Sequence, residues 1–123
     1  RLSVSKNTEF VKGMFVTGFP YDRDGPGYQQ IASTWDKLSC ISRATRRTGS
    51  AALDIAYVAA GRYDGYVVSG AKVWDVAAGI LMVVEAGGCI CDLAGGVWGA
   101  DSTGCIASNG MLHDSLLELV LEG

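Results

Sequence analysis

Apolar side chains recur from Tyr28 onward at Ile31, Trp35, Leu38 and Ile41, three or four residues apart, so they line one face of a helix. Pro26 and Gly27 supply its entry turn. The alanine-rich run 51–60 reads as a second helix, with Ser50 as its N-cap and Gly61 placed to end it in the left-handed conformation. A third is expected over 75–85, closed by Gly87 and Gly88, and a fourth over about 111–121, with Leu112, Leu116 and Leu119 on one side. Between them lie extended candidates at 12–17, 44–48, 66–69, 89–93 and 104–108, and the turn Ala94-Gly95-Gly96 can reverse the chain after one of these. Strands alternating with helices of about 10–15 residues predict an α/β fold, a layered sheet with helices on both faces. No repeat, low-complexity tract or linker divides residues 1–123.

Composition narrows the classes open to such a chain. With 49% hydrophobic and 19% charged residues it can form a core and is no disordered segment. The net charge is −3 and no basic run exceeds Arg46-Arg47, which excludes a nucleic-acid backbone as the expected partner. The longest strongly apolar stretch, 76–86, is interrupted by Glu85 and falls short of the roughly 20 residues that cross a bilayer, so no membrane span or secretory leader is expected. Cys40, Cys89, Cys91 and Cys105 lack zinc-finger spacing, and His113 lies apart from them in sequence. Cys89 and Cys91, two apart in a strand, should share a face as small buried groups, which implies reduced thiols and a cytoplasmic setting. The chain opens on Arg1 with residues that already read as ordered, so further sequence is expected upstream.

Three stretches can carry chemistry: 46–66, 71–88 and the loop Thr17-Gly18-Phe19-Pro20-Tyr21-Asp22. From residue chemistry alone, Asp75 is an N-cap aspartate interacting with the helix dipole, Trp74 a core aromatic, and Arg46 a surface charge or ion-pair partner. Ser50 is a cap, because no histidine lies near to activate it as a nucleophile.

Taken together, these stretches carry a resemblance. Trp74, Asp75, Ala77, Ala78, Gly79, Glu85, Ala86, Gly87 and Gly88 fit the WDxAAGxxLxxEAGG signature of the inositol monophosphatase family, and Arg46, Gly49, Ser50, Ala51 and Ala52 resemble its preceding RxxGSAA segment. Thr17-Gly18-Phe19-Pro20 and Ala107-Ser108-Asn109-Gly110 are similar to bacterial members. The likeness covers nearly the whole chain but only the carboxyl-terminal half of the family's usual length. It implies a carboxyl-terminal lobe of a Mg2+-dependent phosphatase hydrolysing inositol monophosphate or a related sugar phosphate, with the amino-terminal metal-binding lobe absent. Asp75 then corresponds to a catalytic metal ligand, while the family's DPxDG segment has no counterpart. One carboxylate makes a poor Mg2+ site, because magnesium prefers an octahedron of several oxygen ligands, so binding to the isolated chain is expected to be weak or absent and the chain inactive alone.

The resemblance also places Arg46 near the substrate, where it could hold phosphate bidentately, with Lys72 beside it. Many members carry a glutamate six residues before the motif tryptophan that binds substrate hydroxyls. Val68 stands there and cannot accept those bonds, which leaves Ser69 or Lys72 to replace it or a different phosphate ester to be taken. Partners implied are a small phosphate monoester, the absent lobe and a second copy in a homodimer. The alternative function is a non-catalytic dimerisation or regulatory module that retains the fold.

Overall fold

The computed structural model describes residues 2–20 and 24–122, so Tyr21 and Asp22 of the predicted loop lie outside the described residues. After a single 3-10 turn at Phe10–Lys12, the elements run β1 (Met14–Gly18), α1 (Pro26–Ile41), β2 (Ala44–Arg46), α2 (Ala51–Ala59), β3 (Gly65–Ser69), α3 (Val73–Glu85), β4 (Cys89–Cys91), β5 (Gly104–Ser108) and α4 (His113–Leu121). The five strands form one sheet in the order β2-β1-β3-β5-β4. β2, β1 and β3 are parallel, whereas β5 runs antiparallel to both β3 and β4.

Alternation along the strands divides the core between the two faces. Val16, Tyr66, Val68, Cys105 and Ala107 pack with Ile55 and Val58 of α2 and Val83 of α3. Phe15, Val67 and Ile106 point the other way and pack with Ile31 and Leu38 of α1 and Leu116 and Val120 of α4. Helices therefore cover both faces, as the sequence pattern predicts. Ser50 caps α2 by accepting the Leu53 N–H at 3.4 Å, and Gly61 follows that helix at φ +80°.

Three expectations are corrected. The third helix begins at Val73 rather than Asp75, so Lys72 is the N-cap and Asp75 sits in the first turn, its carboxylate accepting the Lys72 N–H at 3.3 Å. Trp74 is no core aromatic: it is 74% exposed, because the buried side of α3 is taken by Val76, Gly79 and Val83. Cys89 is exposed while Cys91 is buried, Cys89 being the first residue of an edge strand; all four cysteines are free.

Buried polar groups meet at the amino ends of the parallel strands. Asp64 accepts the Met14 N–H at 2.7 Å and the Ser5 hydroxyl. Its backbone N–H donates to Met14 O at 2.8 Å, and its carbonyl accepts the Asn109 N–H at 3.0 Å. Asn109 Nδ2 donates to Ser5 Oγ and Asn7 O, and its Oδ1 accepts the Leu112 N–H entering α4. Nearby, His113 Nδ1 bonds Ser108 Oγ at 2.7 Å and Nε2 lies 3.2 Å from Cys91 Sγ, and burial lowers the pKa of its imidazole despite Asp114 beside it. No helix among the described residues is long and apolar enough to cross a membrane.

α2 and α3 approach closely because Gly79 presents no side chain: a Cβ there would overlap the Ile55 side chain. Gly79→Ala is therefore expected to destabilise the fold by about 1–3 kcal/mol, the usual range for overpacking a filled core. Urea unfolding should show a lower midpoint at unchanged slope; an unaltered midpoint would show that Ile55 moves aside at no cost.

Candidate active site

β1 and β3 are parallel neighbours whose connections leave in opposite directions. α1 carries the chain from β1 to β2 on one face, and α3 carries it from β3 past β5 to β4 on the other. In an open α/β sheet such a divergence opens a crevice at the carboxyl ends of the strands. A cleft of about 490 Å3 lies there, lined by residues 17–20 at the end of β1, 68–71 at the end of β3, 49–52 at the entry to α2, and Arg47, Asp54, Tyr66 and Asp75. Gly18 keeps its floor open, since a Cβ there would stand 2.6 Å from Val68 Cγ2 and 3.0 Å from the Tyr66 hydroxyl.

Asp75 and Ser69, two of the residues singled out in the sequence, both line this cleft. Asp75 is exposed, and among the described residues its carboxylate accepts the Lys72 N–H alone, at 3.3 Å, which leaves acceptor capacity open there. Ser69 is buried at the end of β3, and Val68, also buried, forms part of the wall. Arg46 and Lys72 are exposed and do not line the cleft. Arg46 pairs in register with Val16 and so belongs to the α2/α3 face of β2. The neighbouring Arg47 lies on the cleft wall instead, its guanidinium 4.2 Å from the centre of the Phe19 ring. Phe19 is itself braced by Tyr28 and Trp35 at ring separations of 5.2 and 6.2 Å.

Three further residues here lie in stretches the sequence marks for chemistry but receive no individual role from it. Asp54, on α2, is 1% exposed, and its carboxylate accepts the Thr48 hydroxyl at 2.5 Å. No ion pair to it occurs among the described residues, and burial raises its pKa although the Thr48 bond opposes the rise. Tyr66 is buried with its pKa raised, chiefly by desolvation and further by Cys105, Asp54 and Asp75, so its phenol remains protonated. Thr17 Oγ1 is buried without a hydrogen-bond partner among the described residues, an open position on a cleft-lining residue. The signal for Asp54 was a carboxylate inside an otherwise apolar helix, AALDIAYVA.

A sequence profile of the inositol monophosphatase family matches residues 1–122. The chain is 38% identical over 120 residues to an inositol-1-monophosphatase of Mesorhizobium japonicum, covering 98% of this chain and 45% of that protein. It is 46% identical over 96 residues to a Nus factor SuhB of Pasteurella multocida, covering 78% of this chain and 36% of that one. A solved inositol monophosphatase of Anabaena superposes with a TM-score of 0.91 at 37% identity, over 98% of this chain and 48% of that one. The chain thus spans less than half the length of the relatives it matches.

The buried carboxylate leaves a signature in pH. Folding raises the Asp54 pKa above its ordinary 3.8, so the ionised group costs stability at neutral pH, and that cost fades as pH falls through the folded value. Asp54→Asn keeps an acceptor for Thr48 and is expected to raise the urea midpoint at pH 7. Its advantage should shrink as pH falls and vanish below the unfolded pKa. An equal or lower midpoint at pH 7 would mean that the ionised carboxylate is stabilised where it sits.

Proposed function

The chain belongs to the inositol monophosphatase family, and we propose that it is the carboxyl-terminal lobe of a Mg2+-dependent phosphomonoesterase acting on inositol monophosphate or a related sugar phosphate. The observation that carries this reading is the position of Asp75, in the first turn of α3 and on the wall of a cleft at the carboxyl ends of two parallel strands. The wall fits a hard divalent cation in part. Asp75 offers a carboxylate of the kind magnesium takes, and Thr17 Oγ1 lacks a partner, yet no three His, Cys, Asp or Glu side chains gather as a metal site among the described residues. Asp75 would hold the cation together with ligands from the rest of the enzyme. When bound, the cation supplies an acidic water and charge stabilisation for phosphoryl oxygens.

The chain's own residues would bind and orient the ester. The first-turn N–H groups of α2, at Ala51 and Ala52, have no intrahelical partners and line the cleft, a favourable setting for an oxyanion. Ser69 can hydrogen-bond a substrate hydroxyl from the wall, whereas Arg46 and Lys72 would have to reach the substrate from outside it. Val68 leaves the floor apolar and favours an ester that does not need a carboxylate acceptor there. Homodimerisation and a cytoplasmic setting complete the proposal, the latter in keeping with four free cysteines. A second reading, a module that retains the fold for dimerisation or regulation, draws support from the higher identity to the Pasteurella protein, whose name describes a Nus factor.

One set of assays separates the two readings. The purified 123-residue chain is expected to bind Mg2+ no more tightly than about millimolar by calorimetry, since one lobe offers too few carboxylates. It should release no phosphate above background from inositol phosphate or fructose bisphosphate. Joined to an amino-terminal lobe, it should turn over, with Asp75→Asn lowering the rate by orders of magnitude and Val68→Glu mainly changing preference among esters. Robust Mg2+-dependent turnover by the chain alone, abolished by Asp75→Asn, would overturn the shared-site reading; no turnover in the joined form would favour the non-catalytic module.

A further inference from the structure

Asp54 is a carboxylate that the fold buries without an ion pair at the edge of the cleft. It shares the buried side of α2 with Ile55 and Val58, one turn nearer the amino end than Val58, and it lines the cleft. Among the described residues its carboxylate accepts the Thr48 hydroxyl alone, which fills one of about four acceptor positions. Thr48 is itself held in the turn before α2, since its oxygen accepts the Ser50 N–H at 3.3 Å. Tyr66, from β3, brings a phenol to the same floor: its hydroxyl stands 3.0 Å from the point that a Cβ on Gly18 would occupy, and the charges of Asp54 and Asp75 both bear on it. Of the two carboxylates that line the cleft, Asp75 is exposed in the first turn of α3, while Asp54 is 1% exposed. A buried carboxylate without an ion pair costs stability, and in a cleft it marks a place where a ligand completes the hydrogen bonds.

We infer that Asp54 is a specificity-determining residue of the cleft, its carboxylate accepting hydrogen bonds from hydroxyl groups on the alcohol half of a polyhydroxylated phosphate ester. This rests on the phosphomonoesterase reading above and adds the group that tells such an ester from one without hydroxyls. The wall around Asp54 suits a polyol. A hydroxyl both donates and accepts: the carboxylate takes its proton, while the Tyr66 phenol and the first-turn N–H groups at Ala51 and Ala52 can donate to its oxygen or to a neighbouring one. A cationic alcohol half, such as an amino alcohol, suits it less, because the amino end of α2 carries partial positive charge and Arg47 stands on the same wall. The acceptor has to come from α2, since β3 lines the cleft with Tyr66, Val68 and Ser69 and brings no carboxylate to it. A site built to bond a hydroxyl also rejects an analogue lacking one, because its buried polar group is then left unmet.

The test compares inositol monophosphate with phenyl phosphate, whose alcohol half has no free hydroxyl, in the 123-residue chain joined to an amino-terminal lobe. Asp54→Asn keeps an acceptor for Thr48 but presents an N–H2 in place of the second oxygen. The ratio of kcat/KM for inositol monophosphate to that for phenyl phosphate is therefore expected to fall at least about tenfold. The same variant should gain folding stability at pH 7, and a merely structural role would not lower selectivity while stability rises. Adding Val68→Glu to Asp54→Asn should restore much of the ratio by returning a carboxylate from β3. Thr48→Val, which releases the turn before α2 but keeps the carboxylate, should leave the ratio largely as it was. A ratio unmoved by Asp54→Asn would overturn the inference. So would an equal fall on Thr48→Val, which would mean that Asp54 acts through the turn, or a loss on Asp54→Asn confined to phosphoethanolamine, which would assign the carboxylate to a cation. Should Asp54→Asn fail to fold, Asp54→Ser is read in the same way. If the joined form turns over neither ester, the phosphatase reading fails by itself, and saturation-transfer NMR on the chain decides the role of Asp54. The ring protons of inositol monophosphate should then receive saturation from the chain and lose it on Asp54→Asn, and no transfer from the unaltered chain would overturn this inference as well.

Discussion

The Asp64 carboxylate sits where three strands have to be held in register. It takes the Met14 N–H at the start of β1, while its own backbone joins Met14 O and, from Asn109, the end of β5. This is the junction at which the sheet changes from parallel to antiparallel, between β3 and β5. The same group of bonds secures the segment before β1 through Ser5 and Asn7, and the entry to α4 through Leu112. Asp64 and Asn109 are 7% and 3% exposed, so a lost partner here would leave a buried polar group unmet at about 1–3 kcal/mol. The cost of pairing wrongly makes this strand order specific.

Anchoring the amino ends leaves the carboxyl ends of β1 and β3 free to diverge into loops. The cleft arises from that divergence, and its wall joins the last residues of β1 and β3 to the turns that follow them and to the entry of α2. Asp54 shows what such a wall costs. Its carboxylate is buried near Tyr66 with no ion-pair partner among the described residues, and there it accepts one threonine hydroxyl. A core selected for stability alone would carry an apolar or amide side chain at this position.

The layered fold was legible because strands and helices announce themselves by period. β5 falls at 104–108 as expected, Ser50 caps the helix it was expected to cap, and α1 ends at Ile41. Chain chemistry near helix ends was less legible, since a helix start depends on which residue turns first, and Val73 rather than Asp75 does so. Trp74 departs from expectation for a deeper reason: α3 is apolar nearly all round, so its sequence does not show which side the sheet takes, and Val76, Gly79 and Val83 take it. The adjacent arginines illustrate the limit at finer scale, because the register of β2 and the place where it ends send Arg46 and Arg47 different ways. Asp64 and Asn109 are 45 residues apart, and only the sheet brings them together.

The cysteines have a practical consequence. Burial pushes the Cys91 thiol up to about 11 and the Cys105 thiol up to about 12, so both stay protonated and unreactive at neutral pH. Cys40 and Cys89 are exposed, one on the outer surface of α1 and the other where β4 begins, at the end of the sheet away from the cleft. Thiol-directed reagents will therefore sort the four by depth. Fluorophores or spin labels can be attached at two points outside the cleft, giving reporters of motion that leave its wall untouched.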